Sequence, residues 1–77
     1  MIELHLGGHL SFYAPQKQSR FNIPMDQPTE LERILQKLGI PLAEVAIVVV
    51  NGELVELAAA LVNPGDRIEL YPPMGGG

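Results

Sequence analysis

Cysteine is absent from these 77 residues. With it go a disulfide framework, a zinc finger and a thiol nucleophile. Tryptophan is missing too, and the aromatic set is only Phe12, Phe21, Tyr13 and Tyr71. Basic charge is sparse. Lys17, Arg20, Arg33, Lys37 and Arg67 are scattered along a chain whose formal net charge is −4. Nucleic-acid binding needs a clustered basic footprint, so no nucleic-acid partner is expected. No apolar run approaches the ~20 residues of a membrane span, so no membrane partner is expected either. The opening "MIELHLGGHL" carries Glu3 early and has no basic n-region, so no signal peptide is expected and a cytoplasmic location is.

What remains suffices for one small domain. Hydrophobic residues make up 47% of the chain, most of them aliphatic, which is enough for a workable core. At this size the margin of stability is thin.

The pattern alternates first with a strand period. Ile2, Leu4 and Leu6 point one way, and Glu3 and His5 the other. Gly7-Gly8 interrupts this as a bulge or a turn would. "PQKQS" reads as a loop, and Phe21, Ile23 and Met25 resume the alternation as the second arm of a hairpin. Pro24 has no N–H to give a ladder, which places that strand at a sheet edge. The segment "DQPTELERILQKLGIP" predicts a helix. Thr29 and Glu32 have capping-box spacing, and Leu31, Ile34, Leu35 and Leu38 make one apolar stripe. Gly39 stops the helix and Pro41 bars its resumption. "VAIVVVNGELVEL" reads as strand, turn and strand, with Asn51-Gly52 suited to a type I′ hairpin. "NPGD" is a second turn. "RIELY" is the last strand, with Ile68 and Leu70 opposed to Arg67, Glu69 and Tyr71.

The order β-β-α-β-β-β has one helix, which can cover only one face of a sheet. The fold class is therefore α+β: a mixed sheet with one main helix, a β-grasp, with the first and last strands adjacent at the centre. "VAIVVV" is apolar on both faces, Val45, Ile47 and Val49 on one and Ala46, Val48 and Val50 on the other. One set packs on the helix. The other lies where antiparallel strands usually show polar residues. It is covered by neighbouring long side chains, or it is a partner-binding patch.

Catalytic candidates are few. His5 and His9 lack converging partners, so no metal site is expected. "GGH" has the spacing of neither phosphate-binding glycine motif and opens no helix. Glu30 and Glu32 suit the first helical turn. Glu44, Glu53, Glu56, Asp66 and Glu69 read as solvated surface with no base or nucleophile beside them. No acid–base pair and no nucleophile–base set can be assembled, so an enzyme with its own active site is not expected.

The last stretch, "YPPMGGG", is different. Glycine has no Cβ, so a Gly-Gly thread can lie in a channel too narrow for other residues. A terminal glycine also offers an unhindered carboxylate for capture by a partner's backbone donors. Pro72-Pro73 would hold that thread away from the domain. The expected division is a β-grasp domain over residues 1–72 and a flexible tail over 73–77.

With these features together, the chain resembles the ubiquitin-like sulfur carriers, among them the molybdopterin synthase small subunit (MoaD) and the thiamin sulfur carrier (ThiS). "PTELERILQKLGI", "VVVNGELV" and "NPGDRIELYPPMGGG" carry the resemblance along the whole chain. The molybdopterin branch typically ends Phe-Pro-Pro-Val-Ala-Gly-Gly. Here Tyr71, Pro72, Pro73, Met74, Gly75, Gly76 and Gly77 stand in those places, with Tyr for Phe, Met for Val and Gly for Ala. The Pro-Pro pair leans toward that branch.

The resemblance implies a mechanism. An E1-like enzyme uses ATP to adenylate the carboxylate of Gly77. A sulfurtransferase persulfide converts it to a thiocarboxylate, and the tail then enters a synthase large subunit. Gly77 is the reacting residue and Gly76 gives clearance. Tyr71, Pro72, Pro73, Met74 and Gly75 line the approach to the partner. The carrier itself binds no cofactor and is not an enzyme. The alternatives are a carrier for thiamin or tRNA thiolation, a ubiquitin-like modifier of lysines, or a plain β-grasp interaction module.

Overall fold

The computed structural model describes residues 1–73. In chain order its elements are β1 (Ile2–Leu6), β2 (Arg20–Ile23), β3 (Thr29–Glu30), α1 (Leu31–Leu38), β4 (Ile47–Val50), β5 (Glu53–Val55), β6 (Leu61–Val62) and β7 (Arg67–Tyr71). Four short 3₁₀ turns lie in three of the connections, two of them between β1 and β2. Five strands form one mixed sheet in the order β2-β1-β7-β4-β5. β1 and β7 run parallel at its centre, with Leu4 opposite Ile68 and Leu6 opposite Leu70. β2 lies at an edge, as expected, antiparallel to β1, and its pairing stops at Ile23, before Pro24.

This is the expected β-grasp. Leu4, Ile68 and Leu70 of the sheet and Leu31 and Leu35 of α1 are fully buried against one another. Burying a side chain of this kind contributes about 1.5–3 kcal/mol. The stripe therefore decides which face α1 turns inward. Ile34 is buried with it, and Leu38 packs at its margin. Asn51 and Gly52 take φ 51° and 86°, the two positive angles a type I′ turn needs. The Asn51 side chain adds two long-range bonds: Nδ2 donates to Asp66 Oδ1 at 2.8 Å, and Oδ1 accepts from the Arg67 N–H at 2.9 Å.

Two expectations are corrected. The capping box does not form. Glu30, not Thr29, is the residue before the helix, and no side chain caps it. Thr29 donates its hydroxyl to the Gln27 carbonyl at 3.1 Å. Thr29 and Glu30 instead form β3, paired antiparallel with β6. The Leu31 N–H donates to the Ala60 carbonyl at 3.0 Å. A backbone partner far along the chain thus satisfies one of the donors that helix starts leave orphaned. The strand count also rises from five to seven. β3 and β6 are two residues each, too short to show a period. The Gly7-Gly8 interruption is a turn: Gly8–Tyr13 is 3₁₀, not a bulge within a longer strand.

The doubly apolar "VAIVVV" divides as its alternation requires, except at its start. Val48 is buried on the helix side and Val50 packs on the core with it, while Ile47 and Val49 face the open side. Val45, expected on the same face as Ile47, packs against the core instead, because it caps a 3₁₀ turn and does not belong to β4.

Candidate functional site

The candidate site is the exit of β7, where the chain leaves the sheet. Tyr71, Pro72 and Pro73 lie within the described residues. Met74, Gly75, Gly76 and Gly77 lie outside them. The last paired residues are gripped on both sides. The Gly7 N–H donates to the Leu70 carbonyl at 2.8 Å from the β1 side. The Ala46 N–H donates to the Tyr71 carbonyl at 2.9 Å from the β4 side. Pro72 has no N–H to extend the ladder, so pairing stops there.

Tyr71 stands on the open face, partly exposed, and donates its hydroxyl to Glu69 Oε1 at 2.8 Å. That bond to a carboxylate raises the phenol above its ordinary value. The ring lies against Gly7, and the Pro72 ring lies against Gly8.

A second set of side chains flanks the exit. Glu44 accepts from the Tyr13 hydroxyl at 2.6 Å through Oε2 and meets His9 Nε2 at 2.5 Å through Oε1. The His9 and Tyr13 rings meet edge-on with centroids 6.5 Å apart. The Tyr13 hydrogen bond first, and His9 second, hold the Glu44 carboxyl below the usual carboxylate range. Glu44 in turn pushes the Tyr13 phenol up. This corrects the reading of Glu44 as unaccompanied surface: its partners are about thirty residues away in the chain and could not be read from its neighbourhood. Asp66 and Glu69 are likewise engaged, Asp66 by the Asn63 N–H and the Asn51 amide, and Glu69 by Tyr71. His5 meets Glu3, and its hydrogen bond lowers the Glu3 carboxyl. Among the described residues, no three His, Cys, Asp or Glu side chains converge as a metal site would require.

The register divides the open face into two halves. Toward β2 it is charged, with Glu3, His5, Arg20, Arg67 and Glu69. Toward β5 it is apolar. Ile47 lies opposite Tyr71, and Val49 lies between Glu69 and Leu54. Leu54 is 74% exposed. Neighbouring side chains therefore cover Ile47 and Val49 in part and leave Leu54 bare. Among the described residues no helix is long and apolar enough to cross a membrane.

A five-stranded mixed sheet gripping one helix, with its last strand running out beside the first, defines a ubiquitin-like β-grasp protein. The chain belongs to the family described as Mut7-C ubiquitin, which matches residues 2–75. Among solved structures it resembles a chain of the complex of subunits 1 and 2 of molybdopterin-converting factor from Helicobacter pylori 26695. The identity is 28%, the TM-score 0.63, and the match covers 99% of this chain and 97% of that one. It also resembles the thiamine biosynthesis protein ThiS from Geobacter metallireducens. For the crystal structure the identity is 26%, the TM-score 0.57 and the coverage 97% and 99%. For the solution structure they are 27%, 0.53, and 97% and 87%. A comparison with curated protein sequences found no match.

Proposed function

We propose that this chain is a ubiquitin-like sulfur carrier whose reacting group is the carboxylate of Gly77. The observation that carries this reading is the likeness, over 97–99% of the chain, to the molybdopterin-converting factor and ThiS structures. The arrangement at the end of β7 fits it. A rigid strand held from both sides delivers Pro72 and Pro73, and the sequence beyond them offers only Met74 and three glycines.

In this reading an E1-like enzyme joins a Gly77 carboxylate oxygen to the α-phosphorus of ATP with loss of pyrophosphate. The acyl-adenylate makes the carbonyl carbon open to attack by a sulfurtransferase persulfide, with AMP as the leaving group. The product of that attack is an acyl disulfide with the sulfurtransferase; a second thiol then attacks the enzyme-side sulfur, forms a disulfide with it, and releases the C-terminal thiocarboxylate. Gly76 supplies the clearance for a narrow channel, and Tyr71, Pro72, Pro73, Met74 and Gly75 line the partner's approach. The apolar half of the open face, contiguous with Tyr71, docks the partner. Molybdopterin synthesis is the favoured destination, because Pro72-Pro73 matches the tail of that branch and one relative is held in a complex of two molybdopterin-converting factor subunits. A synthase large subunit is then the receiving partner. The chain carries the sulfur and does not itself catalyse the transfer.

The test is direct. The protein is incubated with an E1-like enzyme, ATP and a sulfur donor, and its intact mass is measured. Exchange of one oxygen for sulfur adds about 16 Da, and deletion of Gly77 abolishes the gain while the fold persists. An unchanged mass overturns the proposal. A covalent adduct to lysines of other proteins, with no thiocarboxylate, replaces it with the modifier reading.

A further inference from the structure

Gly7 and Gly8 follow β1 and lie against the exit of β7. Gly7 sits at φ −84° and ψ 161°, extended backbone that any residue adopts. Its missing side chain therefore has another cause. A Cβ built there would lie 2.5 Å from Cδ1 and 3.0 Å from Cε1 of the Tyr71 ring, and 3.3 Å from the Leu70 carbonyl oxygen. Carbon atoms in contact stand about 3.5–4.0 Å apart, so the ring could not remain where it is. Gly8 has φ +53°, and its Cβ would lie 2.8 Å from Cγ and 3.3 Å from Cδ of Pro72. Two consecutive glycines thus receive two consecutive rings.

The seat is also anchored. The Gly7 N–H is bonded to Leu70, and the Gly8–Tyr13 turn is tied through His9 and Tyr13 to Glu44. Glu44 lies two residues before Ala46, whose N–H holds the Tyr71 carbonyl on the other side. The loop after β1 and the approach to β4 therefore close around the root of the tail from opposite edges of β7.

We propose that Gly7 and Gly8 are positioning residues. By seating the rings of Tyr71 and Pro72, they set the direction in which the chain runs at Pro73, and so where the terminal carboxylate is presented to the activating enzyme. The inference rests on the carrier reading for its consequence, but the seat itself stands on the contacts of Tyr71 and Pro72. Activation is sensitive to this because reacting atoms must meet in an aligned geometry, and a displacement of about 1 Å can cost on the order of a hundredfold in rate.

Two variants add a Cβ at the seat. Gly7→Ala keeps an ordinary φ. Gly8→Asn keeps a residue that tolerates positive φ yet adds the Cβ that meets Pro72. Gly65→Ala is the control. Its φ is +94°, so alanine strains the backbone there, but nothing lies within 4 Å of the added carbon. Three quantities are read: Tyr71 ring and residue 74–77 backbone shifts by NMR, melting temperature, and steady-state kinetics of C-terminal activation with an E1-like enzyme and ATP.

The expected result is that Gly7→Ala and Gly8→Asn both move the Tyr71 ring and tail resonances. Each lowers kcat for activation roughly tenfold or more, a larger factor than any rise in KM for the carrier, because Ile47, Val49 and Leu54 of the docking face stay in place while the Tyr71 ring moves. Gly65→Ala loses stability and keeps the wild-type kcat. Wild-type tail and ring shifts in both seat variants overturn the inference, as does a kcat loss in Gly65→Ala equal to theirs. If the wild-type protein is not activated at all, the carrier reading fails and the NMR shifts alone decide the seat. If it is activated and the seat variants match it, the seat is wrong and the carrier reading stands.

Discussion

The hydroxyl of Tyr13 donates to Glu44 at 2.6 Å, joining the turn after β1 to the segment that leads into β4. Both pKa values respond to this bond, in opposite directions, and the consequences for stability follow from the sign of each. Glu44 is lowered from its ordinary value of 4.5 in the folded state. The stability it contributes is complete above that value and is lost as pH falls through the lower folded one. Tyr13 is raised above its ordinary 10.0, so its contribution is complete below pH 10.0 and is lost as pH rises through the higher folded value. Tyr13→Phe should therefore weaken the acid-side dependence of the melting temperature and remove the alkaline-side loss due to this group. A melting temperature measured against pH for both proteins checks it. Parallel curves at both ends would count against the bond.

Thr29 offers a test of where the helix start gets its stability. A capping threonine replaced by alanine costs about 1 kcal/mol, up to roughly 2. Here the hydroxyl bonds only to the nearby Gln27 carbonyl, and the cap position is Glu30 without a side-chain bond. Thr29→Ala should cost less than about 0.5 kcal/mol in urea unfolding, in the range of an ordinary surface change. A loss of a full capping bond would mean that the box forms in solution.

Asn51 does more than take a positive φ. Its amide reaches Asp66 and the Arg67 N–H, so it ties the β4–β5 turn to the entry of β7. Asn51→Gly keeps the turn geometry and removes both bonds. The expected cost is about 1–2 kcal/mol by chemical denaturation, since two hydrogen bonds each contribute on the order of 0.5–1.5 kcal/mol and the site is exposed. A neutral result would show that the turn alone matters.

Leu54 lies bare on the open face beside Val49 and contributes little to the core. Leu54→Asp should leave the melting temperature within a few degrees of wild type. Binding to the activating enzyme or to the synthase large subunit should weaken roughly tenfold or more, as expected when a charge enters an apolar contact patch. Surface plasmon resonance on the wild-type protein and Leu54→Asp measures this. Unchanged affinity would move the docking site off this half of the sheet.

Much of the architecture was legible because it is written in short periods. The alternation of Ile2, Leu4 and Leu6 and that of Ile68 and Leu70 mark the core faces of β1 and β7. The Leu31–Ile34–Leu35 stripe marks the buried side of α1, and Asn51-Gly52 marks its hairpin. Each depends on residues a few positions apart, and each was found where the pattern places it. The apolar stretch 45–50 was legible in its alternation and misleading at Val45, where a turn rotates the chain before the strand begins.

By itself, then, the sequence determined the strand faces, the helix, the edge position of β2 and the candidate tail, all through local periodicity and the backbone limits of glycine and proline. Tertiary structure decided the partners. β6 pairs with β3, and the Ala60 carbonyl just before it stands in for the capping side chain. Glu44 acquires His9 and Tyr13. Gly7, conformationally unremarkable, proves to be a space kept open for the Tyr71 ring. Each of these joins residues between about thirty and sixty-five positions apart, and no window of neighbouring residues carries a contact that exists only once folding has brought distant segments side by side.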